Sequence, residues 1–208
     1  MIYGASPLKY LKERVRTGKL TFIYSERWLK KGLINLLSPR LIKQQLFYHI
    51  YCHNKPVYAL CASAYAAMDF NKMFSFKNKC FKWGYFTEIK EFDLDSVLLQ
   101  KRNSTKIRIL WVARFLNWKH PEKMIYLASY LKESGITDFV INMIGTGTEL
   151  EIIKSEIKKQ GLSGFINLLG AMPNSKVVEA MKKHHIYCFT SDRQEGWGAV
   201  LNEAMGAG

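Results

Sequence analysis

The 208-residue chain is 48% hydrophobic and 23% charged, which excludes disordered, collagenous and coiled-coil classes. Its longest apolar candidate, Val57 to Met68, falls short of the roughly 18 residues a membrane-spanning helix needs. The net charge is +14, concentrated in residues 1–83, where 15 Lys and Arg face 3 Asp and Glu for a net +12; residues 84–208 hold 16 against 14.

In chain order, Met1–Pro7 lacks the basic region and long apolar stretch that open a secretory signal. Ile2-Tyr3 reads as the tail of a strand. Pro7 to about Thr17 reads as a helix closed by Gly18, and Leu20–Tyr24 as a strand. Residues 41–52 carry an apolar helical pattern, Pro56–Cys61 reads as a strand, and Phe81–Phe86 as another short one. The stretch 91–105 is polar and without clear period, so it reads as a linker between a first domain, 1–90, and a second, 106–208. The second domain is the more regular. Strands are predicted at Ile107–Ala113, Phe139–Ile144, Phe165–Leu169 and Ile186–Phe189. Helices are predicted at about 121–134, 148–160 and 174–183, and from about 198 onward. Pro121 suits a first helical turn, Thr148 with Glu151 fits a capping box, and Gly135 and Gly161 suit helix ends. Apolar strands alternating with helices predict an α/β fold with parallel sheets. Cys52, Cys61, Cys80 and Cys188 include no Cys-x-x-Cys pair and read as reduced thiols.

Ligands of open parallel sheets bind beyond the carboxyl ends of the strands. The segments there are Arg114–Lys119, Gly145-Thr-Gly147, Gly170–Pro173 and Thr190–Gly198, the last opening a helix that contains Glu203. Together they supply two cations, two glycine-bearing turns and two carboxylates, an inventory that fits a sugar-linked nucleoside diphosphate. Helix starts present free N–H groups to phosphate, and Arg114 and Lys119 neutralise a diphosphate without metal. Gly145-Thr-Gly147 alone is as readily a tight turn; beside these cations it reads as a phosphate cradle. Glu203, inside its helix, suits ribose hydroxyls. Glu195 lies on the outer side of the diphosphate, where the sugar belongs. Glycosidase chemistry on Glu195 and Glu203 is set aside, because Glu203 follows a phosphate-type turn. Trp111 reads as core. His49 and His53 lack a third ligand at familiar spacing and read as ordinary helix residues.

Glu195-Gly-Trp-Gly-Ala-Val-Leu-Asn-Glu203 resembles the Glu-x7-Glu signature of retaining family-4 glycosyltransferases. Arg114 with Lys119, Gly145-Thr-Gly147 and Leu169–Pro173 resemble that family's diphosphate cations, Gly-x-Gly turn and nucleobase loop, in order and spacing, over roughly 106–208. The resemblance implies a GT-B-like fold of two Rossmann-like parallel-sheet domains, both incomplete here. It also implies that the chain alone transfers sugar poorly. It implies catalytic roles for Arg114, Lys119 and Glu195. Donor contacts fall to Gly145, Gly147, Met172, Gly196, Trp197, Gly198, Ala199 and Glu203, with no metal and no cofactor. The implied reaction moves a sugar, with retention, from a nucleotide-sugar donor to a polysaccharide or lipid-linked acceptor. The basic first half is expected to meet an anionic membrane surface, on the inner face of the cytoplasmic membrane. A non-catalytic nucleotide-sugar-binding fragment is the alternative. A nucleic-acid partner is not expected, since no helix-turn-helix, RNP or zinc motif accompanies the basic half.

Overall fold

Alternating side chains along short strands decide which face each residue buries. The computed structural model describes residues 8–89 and 91–208. The chain divides into two units, one ending at Tyr85 and one running from Phe86 to Gly208.

The first unit holds α1 (Leu8–Arg16), β1 (Thr21–Ser25), α2 (Pro39–Phe47), β2 (Val57–Cys61), α3 (Ala66–Lys72) and β3 (Cys80–Lys82). Its strands form a parallel sheet in the order β1-β2-β3, with Thr21 level with Val57 and Ala59 level with Cys80. Val57, Ala59 and Cys61 share one face with Leu11, Val15, Tyr48, Cys52 and Phe70. Leu60 turns to the other face, with Tyr24 and Ala62. Pro39 opens α2, where its missing N–H costs nothing. The helix expected at 41–52 is α2 followed by a π-helical turn, Tyr48–Cys52, and a 3-10 helix, Gly32–Leu37, precedes it. The strand tail expected at Ile2-Tyr3 lies outside the described residues.

Buried Asp69 accepts from Arg27 Nε and from a second guanidinium nitrogen, at 3.1 Å each, and from the Leu29 amide at 3.1 Å. The carboxylate is thus fully engaged, and it ties the loop after β1 to α3. Among the described residues all four cysteines are free. Burial pushes the Cys61 thiol up to about 12 and the Cys52 thiol up to about 11. Thiolate is the reactive form, so both thiols are expected to resist iodoacetamide at mildly alkaline pH until the protein is unfolded. Mass spectrometry of native and urea-treated samples checks this; equal labelling in both would contradict it.

The second unit opens with α4 (Leu94–Arg102), inside the stretch expected as a linker. That expectation is corrected here. Asp93 caps the helix by accepting from the Ser96 amide at 3.2 Å, and Lys182 sits 5.0 Å from the neighbouring Phe92 ring. Leu94, Val97 and Leu98 stand at helical spacing, but none is buried and the polar residues around them mask the pattern. Then follow β4 (Ile107–Val112), α5 (Glu122–Glu133), β5 (Phe139–Ile144), α6 (Leu150–Lys159), β6 (Ile166–Leu168), α7 (Asn174–Lys183), β7 (Ile186–Cys188) and α8 (Ala199–Met205). The expected strands and helices of this half match within one or two residues at most ends. The capping box does not form: α6 starts after Glu149 with no side-chain cap bond.

The four parallel strands lie in the order β6-β5-β4-β7, so the direction of winding reverses between β4 and β7. Ile109 and Trp111 of β4 join Phe139, Ile141 and Met143 of β5 under α5 and α6. Leu110 and Ile144 point the other way, against Val177 and Met181 of α7. Helices therefore cover both faces, as a doubly wound parallel sheet requires. Among the described residues no helix is long and apolar enough to cross a membrane.

Candidate functional site

The winding reversal leaves a crevice at the carboxyl ends of the second unit's strands, the position where such sheets bind ligands. A cleft of about 420 Å³ occupies it. The segment after β4 contributes Ala113, Arg114 and Lys119, that after β5 Gly145 and Thr146, that after β6 Ala171 and Met172, and that after β7 Glu195, Gly198 and Ala199. Val112, Ile144, Val177 and Val200 supply apolar lining. Seven of the eleven residues singled out from the sequence thus line one cleft. Of the other four, Gly196 and Trp197 follow Glu195 directly and are partly buried. Glu203 lies on α8, partly buried, and accepts from Asn174 Nδ2 at 3.2 Å.

The Tyr187 hydroxyl donates to the Val112 carbonyl at 3.3 Å, and its pKa is raised by burial first and by the Glu203 charge second. The phenol therefore stays protonated.

Gly145 and Gly147 are glycines for a reason the sequence did not reveal. A Cβ on Gly145 would stand 1.9 Å from the Ala113 carbonyl oxygen, and one on Gly147 would stand 2.3 Å from that of Phe115. Hydrogen bonds lock the same seam: Phe115 N donates to Thr146 O at 2.9 Å, Glu149 N to Phe115 O at 3.0 Å and Gly145 N to Gly170 O at 2.8 Å. Close backbone packing demands the two glycines, and it holds three of the cleft segments in register. Gly198 adopts φ 79°, and a Cβ there would meet the Phe189 ring at 2.6 Å.

The cations differ in setting. Arg114 is exposed at the cleft, whereas Lys119 and Glu195 are largely buried there and form an ion pair. The segment carrying Lys119 is anchored from beneath. Trp111 Nε1 donates to Thr190 Oγ1 at 2.8 Å, and Thr190 Oγ1 donates in turn to the Lys119 carbonyl. Asp192 N donates to Trp118 O at 3.0 Å, and the Asp192 carboxylate lies 3.5 Å from His120 Nε2. Thr190, Asp192 and His120 escaped the sequence reading, because bonds between residues more than 70 positions apart leave no periodic trace. Among the described residues no three His, Cys, Asp or Glu side chains gather as a metal site.

A family model described as Glycosyl transferases group 1 matches residues 99–208. No curated protein matches the chain. Among solved structures, WaaG, described as a glycosyltransferase involved in lipopolysaccharide biosynthesis, superposes with a TM-score of 0.65 at 16% identity, over 90% of this chain and 54% of WaaG. HepE from Anabaena, in complex with UDP and glucose, gives 0.60 at 15% identity, over 98% of this chain and 62% of HepE. TarM from S. aureus, in complex with Fondaparinux, alpha-GlcNAc-glycerol and UDP, gives 0.58 at 18% identity, over 72% of this chain and 28% of TarM. At these identities the likeness is one of fold, α/β units with parallel sheets. The chain spans between 28% and 62% of the length of these three relatives.

Proposed function

Because this chain belongs to the glycosyl transferases group 1 family, we propose that it moves a sugar from a nucleoside-diphosphate sugar to a polysaccharide or lipid-linked acceptor, with retention of anomeric configuration. The observation that carries this reading is the convergence of Arg114, Lys119, Glu195 and the start of α8 on one cleft at the winding reversal. HepE and TarM, each solved with UDP, support a nucleotide occupant.

In this reading the diphosphate sits between Arg114 and Lys119, with the backbone N–H groups of Gly198 and Ala199 offered to its oxygens. Negative charge grows on the departing diphosphate, and fixed cations and N–H groups meet it without reorganisation. Lys119 exchanges its Glu195 partner for phosphate. The freed carboxylate accepts from donor-sugar hydroxyls, beside Gly196 and Trp197. Met172 contacts the base through its backbone, and Glu203 accepts from the ribose. Gly145 and Gly147 carry the wall's backbone close beside the diphosphate, where a side chain would not fit. The acceptor hydroxyl attacks from the face the nucleotide leaves. The reaction is proposed to need no metal, the two cations supplying the charge. The net +12 of residues 1–83 favours a peripheral site on the inner, anionic face of the cytoplasmic membrane, where lipid-linked acceptors lie, over a nucleic-acid partner.

Calorimetric titration with UDP and GDP tests the reading. Micromolar binding of at least one nucleotide is expected, unchanged by a metal chelator. Absence of binding to both, from a protein whose circular dichroism shows it folded, would overturn it. Nucleotide binding without transfer to any acceptor would leave a donor-binding domain in place of an enzyme.

A further inference from the structure

Globular proteins bury their aliphatic residues, yet one segment of the first unit does the reverse. None of the six residues of the 3-10 helix Gly32–Leu37 is buried. Leu33 is 69% exposed, Ile34 68% and Leu37 78%, and Leu36 is exposed beside them. The display continues into the next element. Leu41, Tyr48 and Cys52 turn inward to the core, while Ile42, Leu46 and Ile50, spaced four apart, lie on the solvent side. That spacing is one stripe of a helix.

The charges around this stripe are of one sign. From Arg27 to Met68 the sequence contains six Lys and Arg and no Asp or Glu. Three of these cations, Lys31, Arg40 and Lys43, are exposed within or beside the apolar stripe. The nearest carboxylates are spent within the fold: Glu26 pairs with Lys30, and Asp69 with Arg27. Protein interfaces are built on aromatic anchors and are depleted of Lys. Leu and Ile ringed by Lys and Arg, with carboxylates excluded, is the composition that suits the boundary between acyl chains and anionic headgroups.

We propose that residues 31–50 form a membrane-insertion wedge, with Leu33, Ile34, Leu36 and Leu37 entering the acyl boundary of an anionic leaflet and Lys31, Arg40 and Lys43 seated on headgroup phosphates. α2 then lies in the plane of the interface. Nine helical residues, about 13 Å long, are too short to cross the bilayer. The inference deepens the membrane part of the reading above from charge attraction to insertion. It does not depend on the donor cleft.

Flotation of the full chain with vesicles tests it, in the absence of nucleotide. Phosphatidylcholine vesicles containing phosphatidylglycerol are expected to carry the protein, and pure phosphatidylcholine vesicles to carry far less. Leu33→Ser combined with Leu37→Ser is expected to lower partitioning by at least about tenfold, since each leucine withdraws a full side chain from the acyl layer. Lys31→Ala with Lys43→Ala is expected to lower it by roughly twenty-five-fold, about fivefold per cation. All four positions are exposed, so urea midpoints should match wild type. Anionic flotation that the serine pair leaves unchanged would overturn insertion and leave electrostatic adsorption. Flotation that is absent, or equal with neutral lipid, would overturn the proposal. So would sedimentation showing a dimer that the serine pair dissociates while vesicle binding stays absent, because the wedge would then be a contact between copies. UDP titration of the serine pair keeps the two readings separate: intact nucleotide affinity with lost flotation is the expected combination.

Discussion

Replacing Gly145 with alanine is expected to destabilise the second unit by about 3–5 kcal/mol and to abolish nucleotide binding with it, an overpacking cost compounded by a strained backbone conformation. The added Cβ would stand 1.9 Å from the Ala113 carbonyl oxygen and 3.0 Å from its carbon, at a φ of 137° that side-chain-bearing residues rarely adopt. Backbone atoms cannot swing away as a flexible side chain can. Relief requires separating the segments after β4 and β5, which carry Arg114 and Gly145 itself to the cleft. A typical domain is stable by only about 5–15 kcal/mol, so the variant should show a sharply lower urea midpoint. Gly164→Ala is the control, because nothing lies within 4 Å of a Cβ there. Urea unfolding followed by tryptophan fluorescence measures both. A Gly145→Ala variant within about 1 kcal/mol of Gly164→Ala would show that the seam gives way easily, a cost at the small end for overpacking.

Arg114→Ala is the second large effect, and it is expected to fall on binding alone. Arg114 is exposed at the cleft, so its removal leaves no buried partner unsatisfied and the urea midpoint should hold. A hydrogen-bonded guanidinium on phosphate contributes about 1.5–3 kcal/mol, so UDP or GDP affinity should drop by roughly tenfold to a hundredfold. Arg114→Lys should recover part of this, as a point charge without the bidentate fork. Calorimetry reads all three proteins. Unchanged affinity in Arg114→Ala would remove the arginine from the diphosphate site. Lys119 is the less clean probe, because deleting it also strands the partly buried Glu195 carboxylate.

The second unit was legible because its two central strands, β4 and β5, are buried on both faces. Ile107–Val112 and Phe139–Ile144 stand out as apolar runs, and the segments after them could be read as one rim before any coordinates. The cleft assembled on that rim from residues up to 88 positions apart, Val112 to Val200. Helix α4 is not legible in the same way, since its short stripe Leu94, Val97 and Leu98 sits among polar residues and none of it is buried. Nor is the reason for the glycine pair. The carbonyls of Ala113 and Phe115, more than 30 positions earlier, demand glycine at both sites and leave no mark in the local sequence. Glu195 was read as facing a sugar and Lys119 as facing a diphosphate. Their pairing with each other was invisible, since each has a sufficient role alone. The segment Gly32–Leu37 is illegible for a similar reason: apolar residues in a run read as core until their exposure is known.

The Lys119–Glu195 pair also sets a condition on what the cleft admits. A bare inorganic anion that captures the ammonium abandons a partly desolvated carboxylate with no proton donor to replace it, and such an orphan is costly. An occupant that brings an anion and hydroxyl groups together repays both halves of the exchange. In the proposed reading, a nucleoside diphosphate alone is therefore expected to bind less tightly than its sugar conjugate, which also answers Glu195.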